Sequence, residues 1–396
     1  MKRLVFGGLT VLVIVGMVVA THGQGVAPPR AIRAGGDITP NTVRLGGHTP
    51  FQQAIAITQA TYPATVDGAR PHAVILVRVD RQAEAMAAAS RLTHFPTNAP
   101  VLYAEEDRIP PETLEEIRRL DPDGSAYDAN IQLYLVGDFN PRVSRLLREE
   151  MRLNVREFRA NHPAELAEQL DRWSTTVHGT RPQPVAIVQL RNLATGLPVV
   201  AWNAHMGHAI AFVDGEVIPE ATHRMLQQRW RGESFMYVMG SEGVISPAVQ
   251  QELARYGHVQ RIDGADAYSV SVSFAGFRDA GRTSGFGPGT WPRDFGWGIA
   301  EAGHNFTFVR PEDWQAAVTG SVLSHLGKHG PMLLVRSNGV PEPVRRYLDA
   351  IRPSLTVPKD QLLNHGWVLG APSAIGLQAQ SQIEGLLIPR HALASQ

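Results

Sequence analysis

One pattern is written three times along the chain, and a tandem repeat limits the available folds more than any single motif does. The apolar runs IQLYLVGD (131–138), FMYVMGS (235–241) and GWVLGA (366–371) each close on a glycine, at Gly137, Gly240 and Gly370. Each run is short and continuously apolar, as a strand buried on both faces of a parallel sheet reads. A second run precedes each: APVLYAEEDRIPPETLEEIRRL (99–120), AIAFVDGEVIPEATHRMLQQ (209–228) and GPMLLVRSNGVPEPVRRYLDAI (330–351). In all three a strand exits into a polar turn, an apolar–Pro pair follows (Ile109-Pro110, Ile218-Pro219, Val340-Pro341), and an amphipathic helix begins. Proline suits a first helical turn because no backbone donor is needed there. Leu114, Ile117 and Leu120 recur at helical spacing. A third strand opens each unit, HAVILVRVD (72–80), PVAIVQL (184–190) and NFTFV (305–309), with a helical stretch after it such as 81–92. Strands alternating with helices predict an α/β fold in three tandem repeats, with parallel sheets and right-handed crossovers.

A signature leads the copies. VRLGGHTPFQQAIAI (43–57) and VQRIDGADAYSVSVSF (259–274) align Arg44 with Arg261, Gly47 with Gly264 and Phe51 with Tyr268, at what reads as a helix start. The second copy, REFRANHPAELAEQL (156–170), carries Glu157, Ala160 and Ala164 at those positions. The glycine permits a tight turn, and the aromatic packs the helix on the sheet. The arginine is either a salt-bridge staple or an anion contact.

These residues resemble the cell-wall-binding type 2 repeats of Gram-positive bacteria, which open on Arg-Ile-x-Gly-x-Asp-Arg-Tyr-x-Thr-Ala. RIDGADAYSVS (261–271) keeps the Arg, Ile, Gly, Asp and Tyr, and RLGGHTPFQQA (44–54) keeps the Arg, Gly, final Ala and an aromatic. The family's second arginine is replaced by Pro50, Pro163 or Ala267. The resemblance spans about 42–390 and implies three tandem Rossmann-like repeats with parallel sheets, packed around a pseudo-threefold axis. It also implies an exported, non-catalytic protein held non-covalently on an anionic cell-wall glycopolymer or surface polysaccharide. On that basis the copies are expected at 42–155, 156–259 and 260–391. Arg44 and Arg261 are the expected anion contacts, and Gly47, Gly264, Tyr268, Gly137, Gly240 and Gly370 the expected scaffold.

The remaining sequence agrees with an exported protein. Lys2 and Arg3 precede a 17-residue apolar run (4–20), which reads as a signal segment (1–23) that engages the membrane only as signal or anchor, followed by a Pro/Gly/Arg-rich linker (24–41). No cysteine is present, which excludes disulfides, thiol nucleophiles and Cys-ligated metals. The 37 basic and 37 acidic residues balance, arguing against a nucleic-acid partner held by bulk charge. No cofactor motif is present: GFGPG (285–289) lacks the Lys-Ser/Thr of a phosphate loop. The same is true of hydrolase motifs, since neither G-x-S-x-G nor H-E-x-x-H occurs. His205 and His208 are expected to share a helix face at the surface. An insertion at 281–304 is the longest irregular segment; its Trp291, Phe295, Trp297, Arg293 and Asp294 would suit either stacking on sugar rings with polar anchoring or a packing flap over the core. The rival expectation is a secreted carbohydrate-active enzyme with that insertion as a lid over a carboxylate pair.

Overall fold

The structure is a computed structural model and describes residues 39–179, 184–229, 234–284, 290–292, 294–326, 329–354 and 362–389. The signal segment, most of the linker, GFGPG, Arg293 and the side chain of Trp291 lie outside the described residues. The description opens on β1 (Thr42–Leu45) and α1 (Pro50–Thr61). The first unit continues through β2 (Val74–Arg78), α2 (Gln82–Leu92), β3 (Val101–Ala104), α3 (Pro111–Leu120), β4 (Leu133–Val136), α4 (Pro141–Arg145) and β5 (Val155–Phe158). The second runs α5 (Pro163–His178), β6 (Pro184–Gln189), α6 (Leu197–Met206), β7 (Ala209–Val213), α7 (Glu220–Gln227), β8 (Ser234–Met239), α8 (Pro247–Leu253) and β9 (Gly257–Ile262). The third holds α9 (Ala267–Gly276), a hairpin of β10 (Arg282–Ser284) and β11 (Thr290–Pro292), then β12 (Asn305–Val309) and α10 (Trp314–Gly320). It ends with α11 (Val322–His325), β13 (Met332–Leu334), α12 (Glu342–Ala350), β14 (His365–Leu369) and α13 (Leu377–Leu387).

Three four-stranded sheets result, ordered β3-β2-β4-β5, β7-β6-β8-β9 and β13-β12-β14-β1, and every pairing within them is parallel. The order is the same each time, so the expected α/β fold of three repeat-like units is present. The first crossover helices α2, α6 and α10 pack on one another, one from each unit. α2 can approach so closely because its core-facing residues are mostly alanine, Ala83, Ala85 and Ala87 to Ala89. Strand side chains alternate between two apolar layers. In β6, Ala186 and Val188 join the central core, while Val185 and Ile187 face the outer layer under α7 and α8. Among the described residues no helix is long and apolar enough to cross a membrane.

The signature strand of each copy hydrogen-bonds into the sheet of the copy before it. β5 pairs with β4, placing Phe158 opposite Val136, and β9 pairs with β8, placing Ile262 opposite Met239. β1 has no preceding copy and pairs instead with β14, with Arg44 opposite Val368. The helices that follow belong to the next unit: α1 packs on β3, α5 on β7 and α9 on β13. The sequence periods 42–155, 156–259 and 260–391 therefore differ by one strand from the sheets, and the ring of three units is closed by its first strand. Glu384 of α13 fastens that closure, accepting from the backbone and side-chain nitrogens of Asn41 at 3.1 and 3.2 Å. Gln380 donates to Thr42 Oγ1 at 3.1 Å.

Candidate functional site

In an open α/β sheet a ligand crevice forms outside the carboxyl ends of the strands, where the order reverses. Here that point lies between β2 and β4, and between their counterparts in the other units. In the third unit Gly47, which follows the signature strand β1, lines that crevice together with Gly370. Arg44 and Arg261 lie on strands, one turn earlier than the helix start that sequence suggests. Arg44 is 0% exposed. Its Nη1 donates to the Gly370 carbonyl at 2.6 Å, and its Nε and Nη2 to Gln380 Oε1 at 3.0 and 2.6 Å. Arg261 repeats the arrangement half-buried: Nη1 to the Gly240 carbonyl at 2.7 Å, Nη2 to the Ile245 carbonyl at 2.8 Å and to Gln250 Oε1 at 2.6 Å. Burial lowers the Arg261 pKa from its ordinary value. Both guanidiniums thus face inward, tying a strand to the loop and helix behind its neighbour. Arg44, fully buried, has no donor facing solvent, and at half-buried Arg261 the Nη1 and Nη2 bonds go to the scaffold.

The first sheet supports this assignment by its exception. Glu157 occupies the arginine position, and the residue matching Gln250 and Gln380 is Ser144, which donates to Glu157. Arg148 and Arg159 complete the site with Nη2–Oε distances of 3.2 and 2.8 Å. Burial pushes the Glu157 pKa up, but these partners outweigh it and hold the carboxyl below its ordinary range. Both halves of the staple have changed together.

The glycines act by two mechanisms. Gly137, Gly240 and Gly370 follow the central strand at φ of 105°, 116° and 139°, a region that other residues enter at a cost. Gly47 and Gly264 are needed for close approach instead: a Cβ would lie 2.3 Å from Gln53 N and 2.5 Å from Val270 N respectively. The turn is thereby pressed onto the first turn of the following helix. That helix is capped by Thr49 accepting from Gln52 N in α1 and by Asp266 accepting from Ser269 N in α9. Tyr268 and Phe51 pack against the central core, and the Arg336 guanidinium sits 5.0 Å above the Tyr268 ring.

The crevices differ in character. That of the third unit is a cleft of about 120 Å³, lined by Gly47, Thr49, Gln53, Asp313, Gly370 and Ser373 among others. Its acid is neutralised by Arg310, with Nε–Oδ2 at 2.7 Å. That of the first unit is more charged. Arg78 is nearly buried and makes ion pairs of 2.8 Å with both Asp80 and Glu106. The hydrogen bond to Arg78 holds the Asp80 carboxyl below its ordinary range. Glu84, on the first turn of α2, has its Oε2 buried without a hydrogen-bond partner, and burial raises its pKa. Among the described residues no three His, Asp or Glu are placed to hold a metal ion.

Of the insertion residues, Trp297 is described in full, and it turns inward. Its ring meets Trp202 at 5.0 Å and stacks on His205 at 5.8 Å. The insertion's Phe295 is fully buried and stacks on Tyr237 at 3.8 Å. Phe295 and Trp297 therefore pack over the joint between the second and third units, and Asp294, next to Phe295, is paired with Arg278. His205 and His208 also depart from expectation. α6 stops at Met206 on the left-handed Gly207, so the two histidines do not share a helix face. His208 is 5% exposed and His205 half-buried among aromatic rings, not at the surface.

The chain is similar in fold to Cwp6 from Clostridium difficile (TM-score 0.67, 14% identity) and Cwp8 from Clostridium difficile (TM-score 0.64, 17% identity). Each comparison covers 88% of this chain, but only 48% of the Cwp6 chain and 51% of the Cwp8 chain. This chain thus spans about half the length of either. No family model and no curated protein sequence matches.

Proposed function

We propose that this is a cell-wall-associated binding protein, exported and non-catalytic, that attaches to an anionic glycopolymer. The observation that carries the reading is the fold shared with the cell wall proteins Cwp6 and Cwp8 over 88% of this chain. The signature of the cell-wall-binding type 2 repeats agrees with it. Because Arg44 and Arg261 build scaffold, the polymer is met by the crevice rims they support. The test is retention of the mature chain on purified walls, with and without prior removal of their anionic polymers. Retention that disappears with the polymers supports the reading. Retention that persists on stripped walls, or release of soluble sugar from them, overturns it.

A further inference from the structure

The crossover helices start at the carboxyl edges of the sheets and run back, so their C-terminal ends meet around the axis at the end opposite the crevices. Histidine marks each end: His94 just past α2, His205 in the last turn of α6, and His325 as the last residue of α11. His178 arrives on the last turn of α5, His208 after α6, and His329 from the segment before β13. The rings lie against one another. Centroid separations are 6.3 Å for His94–His178, 5.2 Å for His94–His325 and 4.4 Å for His205–His329.

Three observations say that His178, His205, His208 and His325 are built to be neutral. Trp202 Nε1 donates to His208 Nδ1 at 3.2 Å, which requires a free lone pair on that nitrogen. His205 Nδ1 is buried with no hydrogen-bond partner, so a proton there would have nowhere to donate. The fixed charges facing the cluster are Arg91 of α2, Asp171 of α5, Arg229 beyond α7 and Asp294 of the insertion. Arg91 and Arg229 both pair with Asp171, all three at most 2% exposed, which leaves that triad net positive. Asp294 alone pulls His205 the other way. Burial first, and neighbouring Arg91 and histidines second, depress the imidazoles: His178, His205 and His325 to about 4, and His208 to about 3. His94 is shifted down as well, by burial before Arg91. The ring planes of these three pairs are 28°, 51° and 77° apart, from stacked to edge-on, and no metal position is formed among the described residues.

We propose that this histidine cluster is an acid-sensitive lock on the junction of the three units: neutral imidazoles let the central helices close together, and acidification loosens that junction before it unravels the sheets. The sign follows from linkage. A free histidine titrates near 6.5, and here the folded values lie lower. The full stability is present above about pH 6.5 and drains away as the pH falls through 6.5 towards 4. The inference does not depend on what the protein binds.

The test is hydrogen exchange on the full chain, expressed as protection factors between pH 7 and 4. The C-terminal turns of α2, α6 and α11 are expected to lose protection while β2, β6 and β12 keep theirs. The double variant His178→Phe/His205→Phe keeps the ring contacts and removes two titrations. It should move that loss to lower pH by about half a unit or more. Helices and strands opening together, or a double variant with an unchanged midpoint, would overturn the proposal. If the variant does not fold, imidazole titration in the unaltered chain decides. His178, His205, His208 and His325 titrating below 5 support the lock, and values near 6.5 sink it.

Discussion

Replacing Arg44 by methionine separates a scaffold role from a ligand role. Methionine keeps the length and apolar stem and removes all the donors. Two acceptors lose their partner, the Gly370 carbonyl and Gln380 Oε1, at a site with no access to water. Each buried acceptor left unpaired costs about 1–3 kcal/mol. Relief from desolvating a guanidinium offsets part of this, so the expected net loss is about 2–4 kcal/mol. Against a total stability on the order of 10 kcal/mol, that is a large fraction. Arg261→Met, where the site is half-buried and water can replace the donors, should cost about 1 kcal/mol. Urea unfolding followed by tryptophan fluorescence reads both, because Trp367 on β14 lies opposite Val43 on β1. The same folded variants, assayed for retention on purified walls, should bind as the unaltered chain does. If Arg44→Met left the urea midpoint in place and abolished retention, the staple assignment would be refuted and the arginine would return to the binding surface.

Other perturbations probe the same architecture. Glu384→Ala removes the acceptor for Asn41 and should cost about 1–2 kcal/mol; hydrogen exchange should show β1 opening ahead of β5 and β9. Gly370→Ala forces a side chain to φ 139° and sets its Cβ 3.1 Å from that of Ala374, so thermal unfolding should reveal a loss of about 1–3 kcal/mol. Glu84→Gln should stabilise. Burial raises this carboxyl's pKa, so its ionised form is disfavoured in the fold at neutral pH; the penalty fades as the pH falls through the raised value and is gone below about pH 4. Chemical denaturation should give a gain of about 0.5 kcal/mol at pH 7, discounted for partial exposure, and none at pH 3.

What the sequence made legible was local. Short apolar runs ending on glycine located the central strands, because a strand buried on both faces has no polar alternation to confuse it. The glycines at 137, 240 and 370 marked where each run closes, and their left-handed φ came only from the structure. Partnership across the repeat was not legible in the same way. The Arg44–Gln380 staple joins residues at opposite ends of the chain, and nothing around either names the other. A signal existed in the comparison of copies: Gln250 and Gln380 stand at matching places, and Ser144 replaces them in the one copy where Glu157 replaces the arginine. The histidine lock was hidden for a related reason. His94, His178, His205 and His325 come from four helices, and their spacing in sequence carries no period.

The assignment of strands to sheets was inaccessible on stronger grounds. A tandem period is unchanged when its starting point is shifted, so 42–155 describes a repeat equally well whether its first strand belongs to the sheet it precedes or to another. Only the pairing of β1 with β14 decides. That pairing alters the physical meaning of the signature. Its glycine lies where the chain leaves one sheet for the helix of the next unit, and its arginine locks the strand just before that crossing. The turn must be tight because α1 packs on β3 while β1 remains with β14. Gly47 achieves this by bringing the backbone to the amide of Gln53. The signature thus specifies how neighbouring units are joined, and in a ring of three it also sets how the last is joined to the first.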